Sequence, residues 1–243
     1  MDKRFSRDGV YTAYRHMPDL WIIEEESPVA VRTFLFIGDE RALLIDAGCG
    51  NGDLAGFVKD LTDLPVTAAV THSDHDHMGG ISQFEDSFMS PADFYRCLEK
   101  FDCRIKPDAP KPLWEGEILN TGKRRFEVIS LPGHTPGSVA FLDRENRLIL
   151  TGDYISGLPV YMFAEGRSIV AYRHSLLRLR GMRTAFDKLL LSHGPAVETA
   201  PDILDDFVTL AEKVISGEQE ASPEETGLPA RVYRWGRAAI YYD

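Results

Sequence analysis

Thr71-His72-Ser73-Asp74-His75-Asp76-His77-Met78-Gly79-Gly80 is the stretch whose reading decides this chain. Five of the six residues from His72 to His77 are His or Asp. They follow residues 65–71, an apolar run of the length of a buried strand. Side chains placed there converge just beyond a sheet edge. Neutral imidazole and carboxylate are ordinary ligands of zinc, iron and manganese. A cluster this dense points to a metal centre with His72, Asp74, His75, Asp76 and His77 as candidates.

Working outward, three more metal-type side chains stand at strand ends. His134 lies in Pro132-Gly133-His134-Thr135-Pro136-Gly137-Ser138, where glycine and proline set a tight loop. Asp153 closes Thr151-Gly152-Asp153, and His193 opens His193-Gly194-Pro195. Strand ends that each offer such a side chain are how a rigid scaffold builds a site on one edge.

The patterning predicts strands over 20–24, 33–37, 41–47, 65–71, 138–142, 147–151, 189–191 and 232–242. A hairpin over 117–131 turns at Asn120-Thr121-Gly122. Helices are expected over 53–61 and 79–84, over 90–100 with Ser90 as cap and Pro91 next, and over 175–183 and 202–216. Residues 104–112 read as a Pro-rich loop, 154–173 carry no clean period, and 216–227 form an acidic linker. Strands arrive in pairs rather than in strict alternation with helices, which favours a layered α/β sandwich. Residues 42–46 and 148–153 echo each other: an apolar strand, then a loop with an aspartate. We read residues 1–243 as a single domain.

The ordered motifs resemble the metallo-β-lactamase superfamily, whose signature Thr-His-x-His-x-Asp-His-x-Gly-Gly falls on Thr71 to Gly80. Leu44-Ile45-Asp46-Ala47-Gly48, Gly133 to Ser138, Gly152-Asp153 and His193-Gly194-Pro195 match the family's other motifs. The resemblance implies a four-layer αββα sandwich with two divalent metal ions at one edge, zinc first, iron or manganese as alternatives. His72, residue 74 and His134 would hold one ion. Asp76, His77 and His193 would hold the other, Asp153 would bridge, and a hydroxide would lie between them.

One departure stands out. The second ligand position is normally histidine, and here it is Asp74, with His75 displaced by one. Anchoring on Asp76-His77 puts Asp74 in register and leaves His75 as the alternative. A carboxylate oxygen and an imidazole Nδ1 both lie two bonds beyond Cβ, so their reach is similar. Asp74 would make the first site harder and more tolerant of iron or manganese.

The chemistry implied is metal-assisted hydrolysis of a small-molecule ester, thioester or lactone. Asp76 would serve as catalytic residue by orienting water besides binding metal. Asp46 would hold a ligand imidazole, or cap backbone amides at its strand end. Tyr154, Tyr161, Phe163 and Arg167 are the candidate substrate contacts. The alternative is a stand-alone diiron oxygen-binding or oxygen-reducing protein, since relatives of that type carry a carboxylate at the position of Asp74.

Composition narrows the partners. The 243 residues carry a net charge of −11, which argues against a nucleic-acid partner. Arg173, Arg178, Arg180 and Arg183 read as a solvated helix face. Three cysteines without a C-x-x-C spacing favour neither a disulfide framework nor a thiolate zinc site. Residues 1–7 lack an apolar segment, and no run approaches the roughly 20 apolar residues of a membrane span. The expectation is a cytoplasmic protein with no membrane partner; its oligomeric state is not legible in the sequence.

Overall fold

The apolar runs of the N-terminal half assemble into one mixed sheet. The computed structural model describes residues 3–6, 8–26, 30–96 and 110–243. Its eight first strands lie side by side in chain order: β1 (Lys3–Phe5), β2 (Tyr11–Met17), β3 (Leu20–Glu25), β4 (Arg32–Ile37), β5 (Ala42–Ile45), β6 (Val66–Ala69), β7 (Ser87–Met89) and β8 (Lys111–Pro112). β1 to β5 pair antiparallel, whereas β5 to β8 run parallel. A parallel neighbour needs a crossover, and α1 (Leu54–Leu61) supplies it between β5 and β6. Asp53 caps α1 by accepting the Gly56 N–H at 2.8 Å. Leu54, Phe57 and Val58 then share one core with Tyr11, Trp21, Leu35, Leu44 and Ala68. The opposite face of these strands, with Leu20, Ile22, Phe34, Phe36, Leu43 and Ile45, is buried as well. Burial on both faces is why β5 reads as a continuous apolar run.

The chain divides into two compact units, Met1–Val128 and Ile129–Asp243. In the first, β9 (Ile118–Asn120) pairs antiparallel with β10 (Arg125–Ser130), as the hairpin signal predicts. In the second, β11 (Val139–Asp143) pairs antiparallel with β12 (Leu148–Leu150). After β13 (Val160–Tyr161) and α3 (Ile169–Gly181), β14 (Lys188–Leu190) returns parallel to β12 and pairs antiparallel with β15 (Glu198–Thr199). α4 (Ile203–Ser216) precedes β16 (Arg231–Trp235) and β17 (Ala238–Tyr242). Here the core joins Leu131, Ala140, Leu142 and Ile149 to Leu176, Leu179, Phe207 and Leu210. A sheet backed by helices in each unit is what an α/β sandwich requires.

The echo noted in the sequence has a counterpart in each unit. β5 ends before Asp46 and pairs parallel with β6, which leads to His72. β12 ends before Asp153 and pairs parallel with β14, which leads to His193.

Several expectations are corrected. α3 begins at Ile169, not at residue 175, because Ser168 Oγ accepts the Ala171 N–H at 3.2 Å and caps it. His174 therefore sits inside the helix. Residues 232–242 form a hairpin rather than one strand, turning where Gly236 adopts φ 55°. The helix expected over 79–84 shrinks to a 3-10 turn, Ile81–Gln83, and the regular turn α2 (His75–Met78) falls inside the His/Asp motif. Ser90 makes no capping bond and Pro91–Asp93 is a 3-10 turn, but 94–96 are helical as expected, and 97–100 of the expected helix lie outside the described residues. So do 104–109 of the expected loop, and Lys111–Pro112 is a strand. β1, β2, β7, β13 and β15 are strands that the patterning did not reveal.

The four arginines behave as a solvated face. Arg173 pairs with Glu212, Arg180 and Arg183 pair with Asp205, and Arg178 donates to the Ser130 carbonyl. Among the described residues no helix is long and apolar enough to cross a membrane.

Candidate metal centre

In the first unit the site is built on Asp46. This residue leaves β5 in the left-handed region, φ 64°, a conformation that non-glycine residues adopt at a cost. Its carboxylate is fully buried and accepts the Thr71 N–H at 2.7 Å. It also lies 2.9 and 3.0 Å from Thr71 Oγ1 and 2.8 Å from His77 Nδ1. An ionised carboxylate can only accept, so His77 carries its proton on Nδ1 and keeps a lone pair on Nε2. The Thr71 hydroxyl has one proton, which it gives to Asp46. His72 Nδ1, 3.0 Å from the same Oγ1, therefore donates to it. His72 too is left with a bare Nε2. The two rings lie 4.1 Å apart between centroids.

The motif folds as a single helical turn. His77 and Met78 donate their N–H groups to the Asp74 carbonyl at 3.0 and 3.1 Å. This turn directs Asp76 and His77 to one side and turns His75 to solvent, while Asp74 stays half-buried. His72 Nε2 lies 3.6 Å from Asp74 Oδ2, and His77 Nε2 lies 3.7 Å from Asp76 Oδ2. Close backbone packing holds the turn. Gly79 N–H donates to the Gly48 carbonyl at 2.8 Å, and a Cβ on Gly79 would collide with the Cys49 carbonyl. That contact explains the glycine of the motif. Glu25, which the sequence did not single out, ties down the opposing loop by accepting the Cys49 and Asn51 N–H groups at 2.7 and 2.8 Å. Nothing local in Leu-Trp-Ile-Ile-Glu-Glu marks it, since its partners lie 24 and 26 residues away.

The second unit brings its own three residues together. His134 Nδ1 lies 2.9 Å from the Tyr161 carbonyl and 2.7 Å from Arg167 Nη1, which also lies 3.0 Å from Nε2. Asp153, on the 3-10 turn Gly152–Tyr154 behind β12, sets Oδ2 3.9 Å from His134 Nε2 and Oδ1 3.0 Å from His193 Nε2. One carboxylate thus addresses two imidazoles with different oxygens.

These spacings test the fit of a metal. Hydrogen bonds between nitrogen and oxygen run from about 2.7 to 3.2 Å. Bonds of about 2.0–2.2 Å from one ion to His and Asp in tetrahedral array put two ligands about 3.4 Å apart. Three of the four His–Asp pairs, at 3.6, 3.7 and 3.9 Å, are too long for the first and near the second. With each Nδ1 of His72, His77 and His134 already engaged, the donor set suits a divalent ion of the zinc, iron or manganese kind.

Of the expected substrate contacts, Tyr154 is corrected. It is buried to 1% exposure, its hydroxyl donates to the Tyr172 carbonyl at 2.9 Å, and the Tyr172 hydroxyl donates back to the Tyr154 carbonyl at 2.7 Å. Burial pushes both phenols well above their ordinary pKa. Tyr154 is a core residue. Tyr161 is exposed and packs against Phe163 and edge-on to Tyr241. Arg167 lies against the His134 ring and donates to its carbonyl at 3.0 Å.

The model of the metallo-beta-lactamase superfamily matches residues 27–92 and 99–193. The acyl-coenzyme A thioesterase MBLAC2 of Gallus gallus is 28% identical over 171 residues, 56% of this chain and 62% of that protein. A hydroxyacylglutathione hydrolase of Bdellovibrio bacteriovorus is 29% identical over 158 residues, 63% of this chain and 60% of that one. The chain thus spans about three fifths of the length of these curated relatives. Among solved structures, a metallo-beta-lactamase from Pontibacter korlensis superposes with a TM-score of 0.70 at 18% identity, over 83% of this chain and 99% of that one. At that identity the likeness is one of fold.

Proposed function

Because the chain belongs to the metallo-beta-lactamase superfamily, we propose that it is a metal-dependent hydrolase of a small-molecule ester, thioester or lactone. Thioesters come first, since the relatives include an acyl-coenzyme A thioesterase and a hydroxyacylglutathione hydrolase. The ligand assignment follows the family's motif order: His72, Asp74 and His134 for one ion, Asp76, His77 and His193 for the other, and Asp153 shared. Two divalent ions, zinc before iron or manganese, would supply an activated water, its pKa lowered to around 7, and polarise the acyl carbonyl.

The observation that carries the reading is the pairing of four imidazole Nε2 atoms with carboxylate oxygens at 3.0 to 3.9 Å. The residues of the chain do the rest. Asp46 accepts the proton of His77 Nδ1, which would leave His77 Nε2 to hold an ion. Asp76, half-buried beside His77, orients the attacking water as well as binding. Tyr161 and Phe163 offer an apolar wall and Arg167 a cation for the substrate.

Asp74 supports a second reading, the diiron oxygen-binding or oxygen-reducing protein. One experiment separates the two: metal content and visible absorption of the purified protein, with and without oxygen, followed by a thioester, ester and lactone panel. Two colourless ions and chelator-sensitive thioester hydrolysis are expected. Iron with an oxygen-dependent band and no hydrolysis would select the second reading.

A further inference from the structure

Asp74 brings a negative charge that the usual imidazole does not, and the first unit holds a counter-charge for it. Arg96 Nη2 donates to Asp74 Oδ1 at 2.9 Å, from a side chain only 7% exposed. The same guanidinium donates from Nε to Ser73 Oγ at 3.2 Å. Ser73 in turn gives its N–H to the fully buried Asp93 at 2.9 Å. The guanidinium is fixed by two neighbouring residues of the motif at once. Asp74 Oδ1 is engaged with it, and Oδ2 is the oxygen that faces His72 Nε2 at 3.6 Å.

Resting on the hydrolase reading above, we propose that Arg96 is a positioning residue for the metal centre, restraining Asp74 as a one-oxygen ligand and offsetting the charge by which aspartate exceeds histidine. A carboxylate on a rotatable stem can present either oxygen, or both, to an ion. The hydrogen bond on Oδ1 removes that freedom. It also withdraws electron density from a ligand that would otherwise weaken the ion's Lewis acidity. Arginine suits the task better than lysine, because its planar fork reaches Ser73 and Asp74 from two fixed nitrogens. Asp74 and Arg96 thus form a compensating pair. With histidine at position 74, the charge-assisted hydrogen bond from Arg96 Nη2 to Asp74 Oδ1 would be lost.

The test is a cobalt(II) titration followed by visible absorption. It compares the wild-type protein with Arg96→Met, Arg96→Lys, Asp74→His and the Asp74→His/Arg96→Met double variant. Thermal midpoints of the metal-free proteins are measured alongside. Two equivalents should bind to wild type. Arg96→Met should weaken one of them about 10–100-fold and spare the other, the usual loss when a ligand's outer partner goes. Arg96→Lys should fall between. In the Asp74→His background, Arg96→Met should cost nothing or tighten binding. Equal losses in both backgrounds would mean a general structural role and overturn the pairing. Two tight equivalents unaffected by Arg96→Met would overturn this assignment alone. Failure of the wild-type protein to bind cobalt would overturn the hydrolase reading and the assignment together.

Discussion

Asp46 Oδ2 lies 2.8 Å from His77 Nδ1, with both side chains fully buried, and the same carboxylate reaches His72 through the Thr71 hydroxyl. One strand-end aspartate thereby sets the tautomer of two imidazoles. Asp46→Ala strands the Thr71 N–H and the His77 Nδ1–H in the interior. Each buried donor left unsatisfied costs about 1–3 kcal/mol. The variant should unfold at lower denaturant and bind metal about 10–100-fold more weakly. Urea midpoints and a chelator competition check this; a variant with wild-type metal affinity would show that the tautomers are fixed by something else.

Gly79 tests the packing beneath the motif. Its backbone lies so close to Cys49 that an added Cβ must push the two segments apart. Gly79→Ala should cost about 1–3 kcal/mol, the range for overpacking, and should reduce metal binding because the helical turn carrying His77 moves with it. Equal stability and metal content in the variant would contradict the account.

Tyr154 and Tyr161 should separate cleanly. Tyr154→Phe removes the donor to the Tyr172 carbonyl in the core, a loss of about 1 kcal/mol, with KM unchanged. Tyr161→Ala, on an exposed side chain, should raise KM and leave the melting temperature close to wild type. The reverse pattern would reinstate Tyr154 as a substrate contact.

Asp19 gives a pH dependence. Burial alone would raise its pKa, but hydrogen bonds from Arg124, at 2.6 and 2.9 Å, and the nearby Lys123 bring it below the ordinary value. A depressed folded pKa contributes stability that is present above the unfolded value, about 3.9, and is lost as pH falls through the folded one. Arg124→Met should destabilise the first unit by about 3 kcal/mol at neutral pH, since it leaves a buried charge without its main partner. The acid slope between pH 5 and pH 2 should shrink or change sign, because burial then governs the pKa. Denaturant melts across that range decide it, and an unchanged slope would remove Asp19 from the explanation.

The metal-type residues were legible in the sequence because strand ends need only short apolar runs to be recognised, and His72, Asp76, His77, His134, Asp153 and His193 each stand behind one or within a Gly/Pro-set loop. α1 and α4 were legible for a similar reason, since their apolar stripes repeat within a few residues. α3 was not fully legible. Ile169, Tyr172, Leu176 and Leu179 have helical spacing, but the cap at Ser168 is hidden among aromatic and charged neighbours, so its first turn passed for loop. The tertiary structure alone decided that His77 turns Nδ1 to Asp46, that Tyr154 is core, that His75 faces solvent, and that Arg96 and Glu25 contact the motif and its neighbouring loop. Those choices rest on contacts such as Asp46 with His77, Arg96 with Asp74 and Glu25 with Cys49, separated by 31, 22 and 24 residues. Local propensity acts over a turn or a strand, whereas a buried proton is placed by whatever acceptor the folded chain brings within 3 Å.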